Sequence, residues 1–172
     1  MIMTPQLRKA ALVGHVTTSV GWLGAVAAFL VLAVTALHTA DDAAMRSLYV
    51  AMEVLGRAVL VPLAAASLLT GLVQSLGTPW GLFRHWWVIV KLTITVISTL
   101  VLLLYTSTLT LLADAARDPS GPLGLLPSTS PVLHSGAALV VLLAAAVLSM
   151  YKPRSLTRYG WRKQQTGRVA RP

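Results

Sequence analysis

Four long apolar runs fill most of this 172-residue chain, and no other feature limits its fold as strongly. An α-helix needs about 20 predominantly apolar residues to cross a hydrocarbon core about 30 Å thick, and each run is about that long or longer. Backbone amides find no water partners in lipid, so the runs must be helices. The sequence therefore predicts an all-α, polytopic membrane protein built as a four-transmembrane-helix bundle. The predicted helices are Ala10–Leu37, Leu48–Leu76, Trp86–Leu112 and Val132–Met150.

This bundle uses nearly the whole chain, so we predict one transmembrane domain over residues 1–151 and a basic cytoplasmic tail over residues 152–172. Hydrophobic residues make up 56% of the sequence and charged residues only 11%, the reverse of what a soluble surface requires. The chain has no cysteine, which excludes disulfides, iron–sulfur clusters and thiol catalysis. Seven of the fourteen Lys and Arg residues follow Met150, so the tail carries half of the positive charge.

Charge asymmetry predicts the orientation of the bundle, because cytoplasmic loops carry an excess of Lys and Arg. The segment before the first run and the tail are basic, whereas the first and third loops carry more acids than bases. Both termini are therefore expected on the cytoplasmic side of a bacterial inner membrane. We interpret the tail as a topology anchor on anionic lipid of the bilayer, rather than as a nucleic-acid-binding segment. The loop charges are Asp41, Asp42 and Arg46 in the first loop and Asp114, Arg117 and Asp118 in the third.

Six ionisable side chains lie in or at the ends of the predicted helices. A charged group in hydrocarbon costs at least about 2.5 kcal/mol, so each is expected to face protein and to have a partner. With the predicted orientation they form two layers. His15 and Lys91 each lie about five residues from the inner end of a helix, roughly 7 Å deep. The outer layer consists of His38, Glu53, Arg57 and His134.

His15 and Lys91 are the sharpest functional signal in the sequence. A lysine in hydrocarbon with no acid at its depth is expected to lose its proton, since burial penalises the charged form. A neutral amine and a neutral imidazole at one depth on two helices are donors that can hold a haem iron between them. The alternative is that Lys91 extends along its four-carbon stem to the inner interface. With haem b bound, Trp22 and Tyr105 would line the pocket and Arg84 would pair with a propionate.

The outer layer has a simpler interpretation. Glu53 and Arg57 are spaced i, i+4 with the acid first, the order that favours an ion pair within a helix. We expect a structural pair, with proton transfer or substrate anchoring as the alternative. His38 and His134 lie at the wet boundary, where a histidine is readily tolerated and a ligand role is the alternative. Pro62 removes a helix hydrogen bond and predicts a kink in the second helix.

Two short motifs resemble those of known membrane proteins. One is His15-Val-Thr-Thr-Ser-Val-Gly-Trp22, and the other is Trp87-Val-Ile-Val-Lys91. They resemble the first- and third-helix motifs of the HemJ-type protoporphyrinogen oxidases and the related CopD-like membrane proteins. The chain as a whole resembles a bacterial family of four-helix integral membrane proteins. In the HemJ type the histidine and the lysine are implicated in binding b-type haem, so the resemblance implies His15 and Lys91 as haem ligands.

Departures from the HemJ-type pattern bear on activity. After the tryptophan that family continues with a glycine pair and a Tyr-Leu-Pro-Arg stretch, whereas this chain has Ala25-Val-Ala-Ala-Phe29. The histidine usual two residues before the lysine is Ile89 here. The resemblance therefore implies a haem site without the porphyrinogen oxidase activity.

We favour a membrane protein that binds haem b between its first and third helices, with a redox or tetrapyrrole-related role. A quinone or a membrane protein is the expected partner, and an oxidoreductase-like activity stays open. The alternative is a cofactor-free membrane scaffold or accessory subunit. A small transporter or a copper-handling protein fits less well, because the chain shows no internal repeat and its five methionines do not cluster.

Overall fold

The computed structural model describes residues 3–77, 82–118 and 125–151, with tail positions 156–158, 160–162 and 165. Within these residues the chain forms four long helices and no β-strand. The helices are α1 (Pro5–His38), α2 (Asp42–Gly77), α3 (Trp86–Arg117) and α4 (Ser130–Tyr151). Each is long and apolar enough to cross a membrane. The predicted all-α four-helix bundle is confirmed, and by length and composition the chain is a multi-pass membrane protein.

Local capping explains why α1 and α2 begin before their apolar runs. Thr4 precedes α1, and its hydroxyl accepts a 3.4 Å hydrogen bond from the amide of Leu7, while Pro5 occupies the first helical position. Asp41 caps α2 by accepting a 2.9 Å bond from the amide of Ala43. These polar caps lengthen the helices beyond the apolar residues from which the spans were predicted.

The four helices pack around the bundle in chain order, with α1 against α2 and α4, and α3 against the same two. α1 and α3 are diagonal partners, since no Cα atom of one lies within 8 Å of a Cα atom of the other. Only side chains can bridge such a gap. A site shared by α1 and α3 must therefore lie near the axis of the bundle, where long side chains from both helices meet.

Residues spaced seven or fourteen apart on the first two helices form stripes that face the bundle interior. His15, Trp22 and Phe29 on α1 are all buried, as are Glu53 and Ser67 on α2. The opposite faces carry many exposed leucines and valines, as expected for surfaces that contact lipid. His15, Glu53 and Ser67 thus turn toward protein, which is the condition for a functional site in the bundle interior.

A π-helical turn, Gly56–Leu60, lies in the middle of α2, shortly before Pro62. Proline has no amide hydrogen, so the turn before it must rearrange its backbone bonds. The amide of Val61 donates to the carbonyl of Gly56, which keeps the helix continuous through the wide turn. The sequence predicted a kink at Pro62, and the irregularity observed in α2 is this π turn.

Part of the tail is tied to the loop before α3, a contact that the sequence did not predict. Thr157 donates its amide to the carbonyl of Arg84 at 3.0 Å and its hydroxyl to the carbonyl of Phe83 at 2.5 Å. Gly160 packs so closely that an added Cβ would lie 2.5 Å from the carbonyl oxygen of Arg84. Most of residues 152–172 lie outside the described part of the chain, so the anionic-lipid contact stays a prediction.

Replacing Gly56 by alanine tests the packing at the π turn. An added Cβ would lie 2.7 Å from Cδ1 of Leu109, a core side chain on α3, so the α2–α3 interface becomes overpacked. We expect Gly56→Ala to lower the free energy of unfolding by about 1–3 kcal/mol, measured by denaturant titration in detergent micelles. Gly24→Ala is the matched control, because nothing lies within 4 Å of its added Cβ. Equal unfolding free energies for the two variants would contradict this packing.

Candidate functional site

The side chains of His15 and Lys91 meet across the bundle diagonal. Nζ of Lys91 lies 3.1 Å from Nε2 of His15, within hydrogen-bonding distance. His15 is only 8% exposed, and Lys91 is partly buried. The sequence predicted that the two would share a level on different helices, and the structure brings them into contact. The alternative, with Lys91 extended away to the inner interface, is not the arrangement observed.

Hydrogen bonds around His15 determine its tautomer. Its Nδ1 lies 3.1 Å from Oγ1 of Thr70 on α2. That hydroxyl donates its own hydrogen to the carbonyl of Ala66 at 2.6 Å, so it accepts from the imidazole. Nδ1 therefore carries the ring hydrogen, and the Nε2 lone pair faces Lys91. Histidines that ligate metals share this feature, because their second ring nitrogen is held by a hydrogen bond.

α2 supports the imidazole from the side through small residues. An added Cβ on Gly71 would lie 3.0 Å from Cε1 of His15, so the glycine makes room for the ring. One turn away, the hydroxyls of Ser19 and Ser67 are 2.8 Å apart and join α1 to α2. The sequence reasoning missed Thr70, because a helical threonine usually bonds only its own preceding turn. The one signal for Thr70 in the sequence is that a glycine, Gly71, follows it.

His15 and Lys91 have the nitrogen donors that can bind a haem iron, but here the two nitrogens contact each other. An imidazole offers a lone pair, and a lysine amine offers one once it has lost its proton. The two nitrogens meet here from diagonal helices. At 3.1 Å the two nitrogens contact each other directly, so an iron held by both would require them to separate. The residues fit the group on that condition, and haem b stays a prediction.

An apolar cavity of about 300 Å³ lies in the α1–α3 gap and extends to α4. Its wall begins at Ile94, about one turn beyond Lys91, and both predicted pocket residues, Trp22 and Tyr105, line it. Tyr105 follows Lys91 by about 21 Å along α3, at 1.5 Å per residue, and lies toward the outer end. The cavity therefore begins about one helical turn from Lys91, and Trp22 is the predicted pocket residue nearer to the His15–Lys91 pair along the chain.

Arg84 and His85 lie at the inner end of α3, where a partner for propionate groups is expected. Arg84 is half-buried, and its backbone is held by Thr157 of the tail. Burial lowers the pKa of His85, and the neighbouring Arg84 guanidinium lowers it further. His85 is therefore neutral at pH 7, and Arg84 supplies a cation at this rim.

In the outer layer, Glu53 is bound by two arginines. Arg57 lies one turn along α2, with Nε 3.6 Å from Oε1 of Glu53, so the predicted pair is observed. Arg117, at the outer end of α3, approaches the other carboxylate oxygen more closely and also donates a 2.7 Å bond to Asp114. The sequence reasoning missed this partner because the third apolar run stops at Leu112, before α3 ends.

The two outer histidines bond to carbonyls of their own helices. Nδ1 of His38 lies 2.9 Å from the oxygen of Val34, and Nδ1 of His134 lies 2.9 Å from the oxygen of Ser130. His134 also stacks on Tyr105, with ring centroids 4.0 Å apart, and lines the cavity. Among the described residues, no group of three His, Cys, Asp or Glu side chains is placed to hold a metal ion.

Comparison with known proteins assigns no function to this site. No protein-family model, curated protein or solved structure matches the chain. The geometry of the His15–Lys91 pair and the resemblance of the two short motifs therefore carry the functional argument.

Gly71→Ala tests whether the close approach of α2 positions His15. The added Cβ would push against Cε1 of the imidazole from 3.0 Å and disturb its bonds to Thr70 and Lys91. We expect the free energy of unfolding to fall by about 1–3 kcal/mol. Gly14→Ala, on the facing helix, should stay within about 0.5 kcal/mol of the parent, because its nearest contact is an ordinary 3.9 Å. A stable Gly71→Ala variant would show that the ring is not held there.

Glu53→Gln tests the outer ion cluster. The neutral amide leaves the guanidinium groups of Arg57 and Arg117 without their shared carboxylate, so we expect a loss of about 1–3 kcal/mol in unfolding free energy. Asp114→Asn is the control, since this carboxylate is 65% exposed and an exposed pair contributes about 1 kcal/mol or less. Both values come from denaturant titration in micelles. Equal losses in the two variants would argue against Glu53 as the centre of the cluster.

Proposed function

We propose that this protein binds haem b in a bacterial cytoplasmic membrane, with both termini on the cytoplasmic side and a redox or tetrapyrrole-related role. His15 and Lys91 are the proposed iron ligands. The observation that carries the proposal is the 3.1 Å contact of two nitrogen donors across the bundle diagonal. The same two residues occupy the histidine and lysine positions of the HemJ-like motifs, which is independent support.

The residues around the pair have separate tasks in this proposal. Thr70 holds the tautomer in which Nε2 of His15 presents its lone pair. Lys91 acts as a ligand only after it releases its proton, since metal ligands bind in deprotonated form. Its flexible four-carbon stem would let Nζ move away from His15 to admit an iron. Trp22 lines the neighbouring apolar cavity, and haem b, when bound, would supply reversible one-electron transfer.

The proposed partner is a membrane electron carrier such as a quinone, or another membrane protein. Arg84 is the proposed contact for a propionate at the inner rim. A porphyrinogen oxidase activity is not proposed, because Ala25–Phe29 and Ile89 replace the polar residues that the HemJ-type motifs carry.

Visible spectroscopy of the purified protein tests the proposal. Protein expressed with added 5-aminolevulinate and purified in detergent should show a Soret band that shifts on reduction with dithionite. His15→Ala and Lys91→Ala should each lose most of the band, because each removes one of the two residues that would hold the iron. Thr70→Val should weaken haem affinity by about 10- to 100-fold, since it removes the bond that orients the imidazole.

His38→Ala is the matched control for these variants. His38 lies on the same helix as His15, is exposed, and bonds the carbonyl of Val34. Its removal should leave the spectrum unchanged. A protein that stays colourless after expression and after titration with haemin would contradict the proposal. So would a Soret band that survives both alanine substitutions at the pair.

A cofactor-free scaffold or accessory subunit is the second candidate, and the hydrogen bonding at His15 favours it. Lys91 and Thr70 already satisfy both ring nitrogens. The pair would then be a clasp that joins α1, α2 and α3. A colourless protein in which His15→Ala lowers the free energy of unfolding by about 1–3 kcal/mol would support this function.

A further inference from the structure

The outer end of the α1–α3–α4 cavity differs in chemistry from the rest of its wall. Most lining side chains are apolar, including the buried rings of Trp22 and Phe29. At the outer end the ring of Tyr105 stacks on His134 at an interplanar angle of 20°, and its hydroxyl lies 3.0 Å from Oγ of Ser130. An apolar cavity with a few convergent polar groups is typical of a small-molecule site.

Hydrogen bonding at His134 leaves one ring nitrogen as an acceptor. Nδ1 lies 2.9 Å from the carbonyl oxygen of Ser130, and a carbonyl only accepts, so Nδ1 carries the hydrogen. In the neutral ring, Nε2 then presents a lone pair. No residue in the described part of the chain donates a hydrogen bond to this nitrogen. His134 lines the cavity, so a molecule bound there can reach this acceptor, and a hydroxyl is the group that matches it.

We propose that this cavity binds a membrane-soluble hydroquinone, with its ring between Phe29 and Tyr105 and one hydroxyl donating to Nε2 of His134. A volume of about 300 Å³ is at the lower end for small-molecule sites and suits one substituted ring. Ile97 and Val101 line the cavity and are also 55% and 46% exposed, so it opens toward lipid, where an apolar tail can leave. The inference names a partner for the proposed redox role, but the binding site itself does not require haem.

Selectivity for the reduced ring follows from the tautomer of His134. A hydroquinone brings hydroxyl donors to Nε2. The oxidised ring brings only carbonyl oxygens, which cannot donate to a lone pair. The acyl chains and ester groups of a phospholipid bring no donor either. The cavity therefore distinguishes the reduced carrier both from its oxidised form and from lipid acyl chains.

Isothermal titration calorimetry on the protein in nanodiscs tests this inference, with empty nanodiscs to correct for partition into lipid. The probes are tetramethylhydroquinone, under argon, and tetramethyl-1,4-benzoquinone. The reduced probe should bind about fivefold more tightly, the effect of one added hydrogen bond. His134→Phe keeps an aromatic ring against Tyr105 and removes the acceptor, so it should abolish the preference. His38→Phe, at the other outer histidine, is the matched control and should keep it.

Ala137→Phe is a second variant, and it leaves His134, Tyr105 and Ser130 unchanged. Ala137 lines the cavity from an exposed position, so the larger ring fills the space with little risk to folding, and both probes should lose binding. Equal affinity for the two probes in the parent protein, or a preference that survives His134→Phe, would overturn the inference. Displacement of the reduced probe by hexadecane at equal concentration would identify a lipid-filled cavity and overturn it as well. A colourless protein leaves this test intact, so its failure is distinguishable from failure of the haem proposal.

Discussion

Hydrocarbon cannot solvate polar side chains, and this constraint governs where the polar groups of the bundle lie. Many bond carbonyls of their own helix, and the most deeply placed charged groups are satisfied by contacts between helices. Lys91 reaches His15 across the diagonal, and Glu53 is bound by Arg117 from the outer end of α3. These contacts join residues 76 and 64 positions apart in sequence. Because lipid provides no hydrophobic force that drives helices together, such bonds and the close packing at glycines select one arrangement of the four helices.

The apolar cavity lies between the two polar layers and separates their chemistry. The inner layer presents a nitrogen pair, whereas the outer end of the cavity presents the acceptor of His134. A redox centre at the pair and a hydroquinone at His134 would share one apolar gap between diagonal helices, with water excluded by Trp22 and Phe29. If the pair is instead a structural clasp, the cavity remains a binding site, since its walls do not depend on a metal.

Periodicity and charge were sufficient to predict the spans, the bundle, and the common level of His15 and Lys91. They were not sufficient for contacts that depend on how helices rotate and end. Thr70 became a partner of His15 only through the rotation of α2. Arg117 reached Glu53 only because α3 continues past its apolar run. The hydrogen bond from Thr157 of the tail to Phe83 joins residues more than 70 positions apart, and the sequence carries no local signal for such a contact.

Magic-angle-spinning NMR of haem-free protein in bilayers, with ¹⁵N-labelled lysine and histidine, shows whether Lys91 and His15 meet inside the bundle. We expect a through-space correlation between Nζ of Lys91 and Nε2 of His15, with the ring hydrogen on Nδ1. A Lys91 amine that correlates with lipid phosphate and not with the imidazole would contradict this expectation. In that case neither the haem site nor the clasp would remain.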